Sequence, residues 1–425
     1  MATKYNSKIF IQIASYRDPQ LLTTIRNCIK TAKYPKKLVF CIAWQHDIND
    51  EWDNLDEYKN DKRFKILDID YKKSKGACWA RNQIQQYYNQ EQYTLQLDSH
   101  HEFVKNWDEQ LIEMYDLLIS KGHAKPLITT YLPSYFPGED TPNTQAVWKM
   151  GFDRFTPQGY IFTRPSTIDN WESLTEPVPA RFYSAHFAFT TGKFCVEVQH
   201  DPKMYFHGEE PSIAVRAYTH GYDLFHPHKI IAWHQYTRTG MIKHWDDFKK
   251  WGDLDRQSHE RYRILHLMDG CINQPGTAKY IEDKYNFGKV RTLQDYEIYA
   301  GVKFNGRRVQ QYTLDAKYPP NLSNDTVESF NSLLLDKFKH CIDIHRSHFK
   351  HDDYDSWVVA FEMNDGTVCK RLDIDATEIK KLLNIEANDF VKIWKEYDGV
   401  YPEKWVVWPH SKSKGWVERI ETKLI

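Results

Sequence analysis

The chain has 425 residues, 41% of them hydrophobic, which is enough for two folded units with buried cores. Its 57 lysines and arginines nearly balance its 58 aspartates and glutamates, so the formal net charge of -1 excludes a global positive field that would hold DNA, although it allows a local basic groove. No stretch approaches the roughly 18 to 20 apolar residues of a membrane span, and the first apolar run is too short for a signal peptide, so we expect a cytoplasmic protein without membrane contact.

The seven cysteines are scattered along the chain and form no CxxC pair. An odd number without paired spacing favours reduced thiols over a disulfide framework or a zinc finger. We expect nearly all of them to fill hydrophobic cores.

The first third of the sequence alternates short apolar runs with amphipathic runs. Strands are predicted over 8–15, 37–45, 64–71 and 93–100, and helices over 19–33 and 75–89. This alternation predicts an α/β domain with a mainly parallel sheet and helices on both faces. Ligands of such sheets bind beyond the carboxyl ends of the strands, where Ser15, Gln45 and Asp98 fall.

The remainder of the sequence changes character twice. A predicted helix near 106–121 and a strand from 126 precede a segment rich in proline, glycine and aromatic residues, 133–185, which we predict to be loops. After Gly301, β-prone runs joined by turn signals predict several strands and one helix around 377–385. We therefore expect a boundary near 290–300, with an α/β domain over 1–297 and a smaller β-rich domain over 298–425.

The clearest local feature is the end of the fourth predicted strand, where LQLDSHHEF (95–103) turns from apolar to polar. Asp98 and His100 lie two positions apart, so on a strand their side chains project to the same face. A carboxylate oxygen and an imidazole nitrogen at one point suit Mn²⁺ or a similar divalent ion better than Ca²⁺, and leave positions for phosphate oxygens. The pattern is short, and the alternative is a polar strand end held by loop hydrogen bonds.

A second group of polar residues lies between 206 and 238. Glu209 and Glu210 follow Gly208 and open a predicted helix, and a later strand delivers His234. Acidic residues favour the N-terminus of any helix, so these glutamates alone do not distinguish capping from catalysis.

Five blocks of the sequence together resemble a known enzyme family. They are SYRD at 15–18, GACWARN at 76–82, LQLDSHHEFVKNWD at 95–108, HGEEPSIAVRAYTHGYDLF at 207–225 and AWHQY at 232–236. In this order they resemble the cytoplasmic polypeptide α-N-acetylglucosaminyltransferases that modify hydroxyproline on Skp1, and more distantly the polypeptide N-acetylgalactosaminyltransferases. The resemblance spans about residues 8 to 300. It implies a GT-A fold, so that 1–297 is a Rossmann-like catalytic domain and 298–425 an accessory domain.

The resemblance also implies a metal site. Asp98 and His100 are implied ligands of Mn²⁺ or another divalent cation, and His234 is the implied third protein ligand. The rivals for the third position are His207, His220, His226 and His228. Each rival lies in a loop or at a helix end rather than at the matching strand end, which favours His234.

Donor-binding and catalytic roles follow from the same resemblance. Ser15, Arg17 and Gln45 are implied to lie against the nucleoside, and Arg81 to pair with the pyrophosphate, because a guanidinium fork matches phosphate oxygens. Either Glu209 or Glu210 is implied to stabilise the sugar or to orient the nucleophile. The HGEE at 207–210 departs from the aromatic-Gly-Gly-Glu pattern of the distant relatives, which leaves open which glutamate acts.

The implied reaction is transfer of a sugar, N-acetylglucosamine, from a UDP-sugar donor to a hydroxyl acceptor on a protein, with retention of configuration and with a metal that neutralises the leaving diphosphate. An alternative acceptor is a hydroxylated DNA base, since 243–251 and 410–416 mix basic and aromatic residues, although the neutral net charge argues against it. A metal-dependent hydrolase is a further alternative, against which the lack of an HExxH-type cluster counts. The last alternative is a non-catalytic sugar-binding protein with a lectin-like C-terminal module, which would need neither metal nor diphosphate.

Overall fold

The computed structural model describes residues 7–138, 144–156, 159–238, 240–248, 284–321, 326–384 and 389–424. Cys271 and the end of the 243–251 segment lie outside these ranges. The helices are α1 Leu21–Thr31, α2 Ala77–Gln85, α3 Trp107–Ser120, α4 Phe194–Glu197, α5 Glu209–Thr219, α6 His244–Asp247, α7 Leu293–Ala300, α8 Gln311–Leu314, α9 Val327–Ser332 and α10 Ala376–Leu383. None of these is long and apolar enough to cross a bilayer.

The strands of the first 300 residues are β1 Ile9–Tyr16, β2 Leu38–His46, β3 Phe64–Asp70, β4 Tyr93–Leu97, β5 His101–Phe103, β6 Pro126–Thr129, β7 Trp148–Phe155, β8 Ile161–Thr167, β9 Val178–Pro179, β10 Phe187–Thr191, β11 Asp223–His226 and β12 Ala232–His234. Those that follow are β13 Val302–Lys303, β14 Arg308–Gln310, β15 Leu334–His345, β16 Tyr354–Glu362, β17 Val368–Asp375, β18 Phe390–Asp398, β19 Lys404–Ser411, β20 Gly415–Trp416 and β21 Ile420–Lys423.

A mainly parallel sheet forms the centre of the larger domain, with the strand order β3-β2-β1-β4-β10-β6-β11-β9. Strands β1 to β4 run parallel to one another, and β10 is antiparallel to both β4 and β6. The chain moves outward from β1 to β3 and then returns to the other side of β1 as β4. This reversal leaves a crevice beyond the carboxyl ends of β1 and β4, which is where open α/β sheets bind ligands.

Alternation of side chains along β1 explains why helices cover both faces of this sheet. Ile11 and Ile13 point into a core shared with residues of α1 and α3, whereas Phe10 packs on the opposite face with Ile84 of α2. Successive strand residues face opposite sides, so a strand that is apolar at every position needs cover on both. The fold class expected from the sequence, a GT-A α/β domain with a β-rich addition, is confirmed.

The prediction that 133–185 consists of loops is wrong between Trp148 and Thr167. Strands β7 and β8 form an antiparallel hairpin there, with an irregular register near Phe152. Pro165 lies within β8, and in the described part of the chain β8 pairs with β7 alone. A proline is tolerated on such an edge strand, so the proline content that indicated a loop is compatible with a hairpin.

The β-rich region after residue 301 contains two further sheets, β13-β14-β15-β18 and β17-β16-β19-β20, with β21 beside β19. Their facing sides share one core that includes Phe338, Ile342, Trp357, Phe361 and Val407. The region is therefore a sheet-on-sheet sandwich, with α10 packed against it. The long strands β15 and β18 were not among the predicted strands.

The first residues of this region pack with the larger domain. Val302, Phe304 and Val309 belong to the same core cluster as Tyr222 and Tyr296. The separate sandwich core contains residues from Phe338 onward. The exact boundary between residues 297 and 298 stays a prediction.

Candidate active site

A cavity of about 460 Å³ lies in the crevice beyond β1 and β4. Tyr16 and Gln45 reach it from the ends of β1 and β2, and Arg81 reaches it from α2. The segment after β4 adds Asp98 and His100. The polar residues that follow the strands thus meet at one site, as expected from a parallel sheet.

Asp98, His100 and His234 form a compact group at the wall of this cavity, with one potential ligand atom from each lying within 4.8 Å of the others. The Nε2 atoms of His100 and His234 lie 3.8 Å and 3.5 Å from Asp98 Oδ2. His234 reaches this point because β12 pairs antiparallel with β5, directly after the Asp98 loop. None of the four rival histidines belongs to a three-residue group of this kind in the described ranges.

The second ring nitrogen of His100 is held by Asp18. His100 Nδ1 lies 2.7 Å from Asp18 Oδ2, which also accepts hydrogen bonds from the Ser99 hydroxyl at 2.7 Å and from Arg238 at 3.1 Å. Asp18 is only 1% exposed, yet His100 and Arg238 hold its pKa below the usual range against the opposing effect of burial. An ionised acceptor at Nδ1 leaves the Nε2 lone pair of His100 directed at the cluster, as partners of metal-ligating histidines do.

Three of the histidines around this point, His101, His186 and His234, are neutral. Burial lowers the pKa of His234 to about 4, and burial together with neighbouring histidines lowers the pKa of His101 and His186 well below the usual range. Neither ring nitrogen of His234 makes a hydrogen bond to any described residue. A buried neutral imidazole without a partner has a free lone pair, which is the form that ligates metals.

Arg81 joins two of the acidic residues. Its Nη1 lies 2.6 Å from both carboxylate oxygens of Glu209, and its Nη2 donates to Asp98 Oδ1 at 2.7 Å. Burial would raise the pKa of Asp98, but His234 and Arg81 hold it well below the usual range. Arg81 is 5% exposed and is committed to these carboxylates, so the structure shows it as their counter-ion.

The adjacent glutamates Glu209 and Glu210 have opposite environments. Burial would raise the pKa of Glu209, but Arg81 and His200 lower it to about 2, so this carboxylate is ionised. Burial and the charge of Glu209 raise the pKa of Glu210 to about 7. Glu210 accepts hydrogen bonds from the backbone N–H of Ala185 at 2.9 Å and from the Tyr131 hydroxyl at 3.0 Å. Near neutral pH, Glu210 is the glutamate that can exchange a proton.

The remaining predicted donor-binding residues lie at different depths. Gln45 lines the cavity, where its amide donates to Ser15 O at 2.9 Å and accepts from the Ser74 hydroxyl at 2.6 Å. Ser15 is fully buried behind this wall. Arg17 is paired with Asp50 at 2.8 Å and with Asp247 at 3.1 Å rather than lining the cavity. Their roles in donor binding stay predictions.

Two residues of the site had no role in the metal site that the sequence predicted. Asp18 lies in the SYRD block, but nothing local indicated that it would hold His100, which is 82 positions away. Arg238 follows the AWHQY block and completes the same network. Only their position within or beside the motif blocks could have marked them.

Comparison with known proteins identifies the family of this chain. The family model Glycosyltransferase (GlcNAc) matches residues 8–64 and 51–306. No curated protein matches the sequence significantly. A crystal structure of GalNAc-T7 with UDP, GalNAc and Mn²⁺ is similar with 16% identity and a TM-score of 0.43, over 69% of this chain and 57% of that chain. The chain thus spans little more than half of GalNAc-T7.

Two structures of TarS from S. aureus are also similar. The first has 11% identity and a TM-score of 0.36, over 98% of this chain and 77% of that chain. The second, TarS 1-349 in complex with UDP-GlcNAc, has 12% identity and a TM-score of 0.37, over 68% of this chain and 75% of that chain. Since the family model extends from residue 8 to residue 306 of a chain of 425, well over half of its length, the chain belongs to the Glycosyltransferase (GlcNAc) family.

Proposed function

We propose that the protein is a metal-dependent glycosyltransferase that moves a sugar from a UDP-sugar donor to a hydroxyl acceptor. N-acetylglucosamine is the proposed sugar, a protein side chain the proposed acceptor, and retention the proposed stereochemistry; these three points rest on the sequence resemblance. The observation that carries the proposal is the group of Asp98, His100 and His234 beside a cavity at the crevice of the sheet.

The chemistry of this group fits a divalent ion such as Mn²⁺. One carboxylate and two imidazoles are a mixed oxygen and nitrogen donor set, and ring nitrogens of His234 that make no hydrogen bond are otherwise costly to bury. When bound, such an ion neutralises the negative charge that develops on the leaving diphosphate. Asp98, His100 and His234 would hold it, with Asp18 orienting His100.

The two glutamates divide the remaining tasks. Glu209, ionised and held by Arg81, fixes a negative charge that stabilises the positive character developing at the anomeric carbon. Glu210 lines a second, adjoining cavity and is placed to hydrogen-bond the acceptor hydroxyl. This division assigns the exchangeable proton to Glu210.

A UDP-release assay over a panel of UDP-sugars tests the proposal, with and without Mn²⁺. The Asp98→Ala variant should lose UDP release while keeping its fold, as checked by circular dichroism. Asp68→Ala is the matched control, because Asp68 lies in β3 of the same sheet, 65% exposed and outside the cavity. Wild-type turnover by Asp98→Ala would eliminate the metal assignment.

Binding of free UDP separates this proposal from the non-catalytic alternative. Calorimetric titration should show UDP affinity that increases with Mn²⁺, whereas a sugar-binding module would bind free sugar and ignore both. A cytoplasmic location is part of the proposal and is supported by the free thiols of Cys28, Cys41, Cys78, Cys195, Cys341 and Cys369.

A further inference from the structure

A second cavity of about 700 Å³ adjoins the first. The two cavities share Arg81, Asp98, Phe206 and Tyr236 in their walls. Glu210 lines the second cavity and not the first. If the first cavity holds the donor, as the proposed function requires, a molecule bound in the second cavity meets the donor beside Asp98, the carboxylate that lies in both walls.

Aromatic side chains surround this second cavity. The β7–β8 hairpin contributes Trp148 and Phe162 on one side. Phe206 and Tyr236 also line it and are 42% and 41% exposed. Large aromatic faces that remain accessible offer stacking surface to flat, uncharged groups.

The charges of the second cavity do not suit a phosphodiester. Of the described residues that line it, Arg81 is the single lysine or arginine, and it is already paired with Glu209 and Asp98. A polyanion binds through several cations that neutralise its phosphates, and the described residues of this wall supply no lysine or arginine that is uncommitted.

We propose that the second cavity is the acceptor site and that it takes a hydroxyl group carried by an uncharged acceptor. This inference rests on the proposed function and deepens it, since it selects among acceptors. The hydroxyl lies against Glu210 and the flanking groups stack on Trp148 and Phe162. A hydroxylated DNA base, with phosphates on either side, is thereby disfavoured.

The test uses the full chain with Mn²⁺ and UDP-N-acetylglucosamine, at about 0.15 M salt. UDP release is measured without acceptor, with a neutral peptide that contains serine, threonine and hydroxyproline, and with an oligonucleotide that carries 5-hydroxymethylpyrimidines. The peptide should accelerate release and the oligonucleotide should not. Trp148→Ala should raise the peptide KM roughly 3- to 10-fold, more than it changes the KM for the donor, and Trp148→Phe should restore it.

The possible failures are distinguishable. Acceleration by the oligonucleotide, donor hydrolysis that neither probe accelerates, or an unchanged peptide KM in Trp148→Ala would overturn the acceptor assignment while leaving the donor site intact. Absence of UDP release with every donor would instead reject the proposed function.

A different observation concerns the outer side of the β7–β8 hairpin, which contacts the C-terminal sandwich. The Arg154 guanidinium lies 4.5 Å from the ring centre of Phe162 and 5.1 Å from that of Trp394 in β18. Asp153 is paired with Arg154 and with Lys339 of β15, the latter at 2.5 Å. Phe162 thus faces the second cavity while its neighbour Arg154 links it to the sandwich.

We infer that the C-terminal sandwich positions this wall of the second cavity through Trp394, Lys339 and Arg154. A two-stranded hairpin is marginally stable alone, so an aromatic and ionic contact on its outer face limits its movement. Trp394 is 49% exposed and does not line the second cavity, so it acts through Arg154 rather than on the acceptor.

Trp394→Ala should raise the KM for an accelerating acceptor about two- to fivefold with little change in the donor KM, and Trp394→Phe should retain most of the wild-type value. The control is Trp408→Ala, since Trp408 is a 38% exposed tryptophan of the same sandwich that stacks on Trp416 instead. Equal effects of Trp394→Ala and Trp408→Ala, or no change in acceptor KM, would contradict this positioning role.

Discussion

Replacing Asp18 by asparagine is expected to weaken metal binding without removing a ligand. Asp18 Oδ2 accepts hydrogen bonds from His100, Ser99 and Arg238, and Oδ1 accepts one from the backbone N–H of Gln20 at 2.9 Å. An asparagine keeps one oxygen and replaces the other with an NH₂ donor. In either orientation, at least one donor therefore faces another donor in a buried site.

The size of the effect follows from the two possible orientations. If the NH₂ group faces His100, the ring can no longer donate from Nδ1, and its Nε2 lone pair turns away from the cluster or is protonated. If the NH₂ group faces Gln20, His100 keeps an acceptor but loses the negative charge that strengthens its ligating nitrogen. Loss of such a partner typically costs 10- to 100-fold in metal affinity, or about 1.4 to 2.7 kcal/mol.

Isothermal titration of Mn²⁺ into the protein measures this loss directly, and UDP release as a function of Mn²⁺ concentration measures it during turnover. At saturating Mn²⁺ the variant should recover much of its activity. The control is Asp53→Asn, which removes another buried carboxylate beside the sheet, one that accepts from Trp44 at 2.6 Å. Wild-type Mn²⁺ affinity in Asp18→Asn, or an equal loss in Asp53→Asn, would refute the reasoning.

Four further predictions concern buried groups. Arg81→Met leaves Glu209 without its counter-ion and should lower the free energy of unfolding by about 3 to 5 kcal/mol, measured by urea denaturation; a loss under 1 kcal/mol would contradict the pairing. The pKa of Glu210 is raised from 4.5 to about 7, so its contribution to stability is full below pH 4.5 and is lost as the pH rises through 7. The free energy of unfolding of the wild-type protein should therefore fall by about 2 to 3 kcal/mol between pH 5 and pH 8. The Glu210→Gln variant should not show this fall, and urea denaturation at the two pH values measures the difference. Tyr131→Phe removes a hydrogen bond that favours the ionised form of Glu210 and so raises the pKa of Glu210 further. The profile of kcat against pH should therefore move to higher pH, and a move to lower pH would refute this. Gly301→Ala should lower the free energy of unfolding by about 2 to 4 kcal/mol, measured by thermal denaturation. Gly301 has φ of +66°, and an added Cβ would lie 1.9 Å from the side-chain amide nitrogen of Asn321. Stability close to that of the wild type would contradict this.

The core of the α/β domain could be predicted from local pattern. The runs that became β1, β2 and β4 are mostly apolar, and such runs between amphipathic helices favour parallel strands that are covered on both sides. The polar residues after each strand, including Gln45 and Asp98, were therefore expected at one edge of the sheet. The hairpin at 148–167 was missed because its prolines and aromatic residues are typical of loops as well as of edge strands.

The sequence by itself determined the order of the main strands and helices through residue 129, the class of fold and the edge of the sheet where polar residues collect, because each depends on side-chain spacing over a few residues. Only the tertiary structure decided that His234, rather than four other histidines, comes beside Asp98 and His100, and that Asp18 holds the far nitrogen of His100. It also decided that two adjacent glutamates differ, since Arg81 reaches one and not the other. These outcomes depend on contacts between segments more than 80 positions apart, and no local pattern encodes burial or charge at that range.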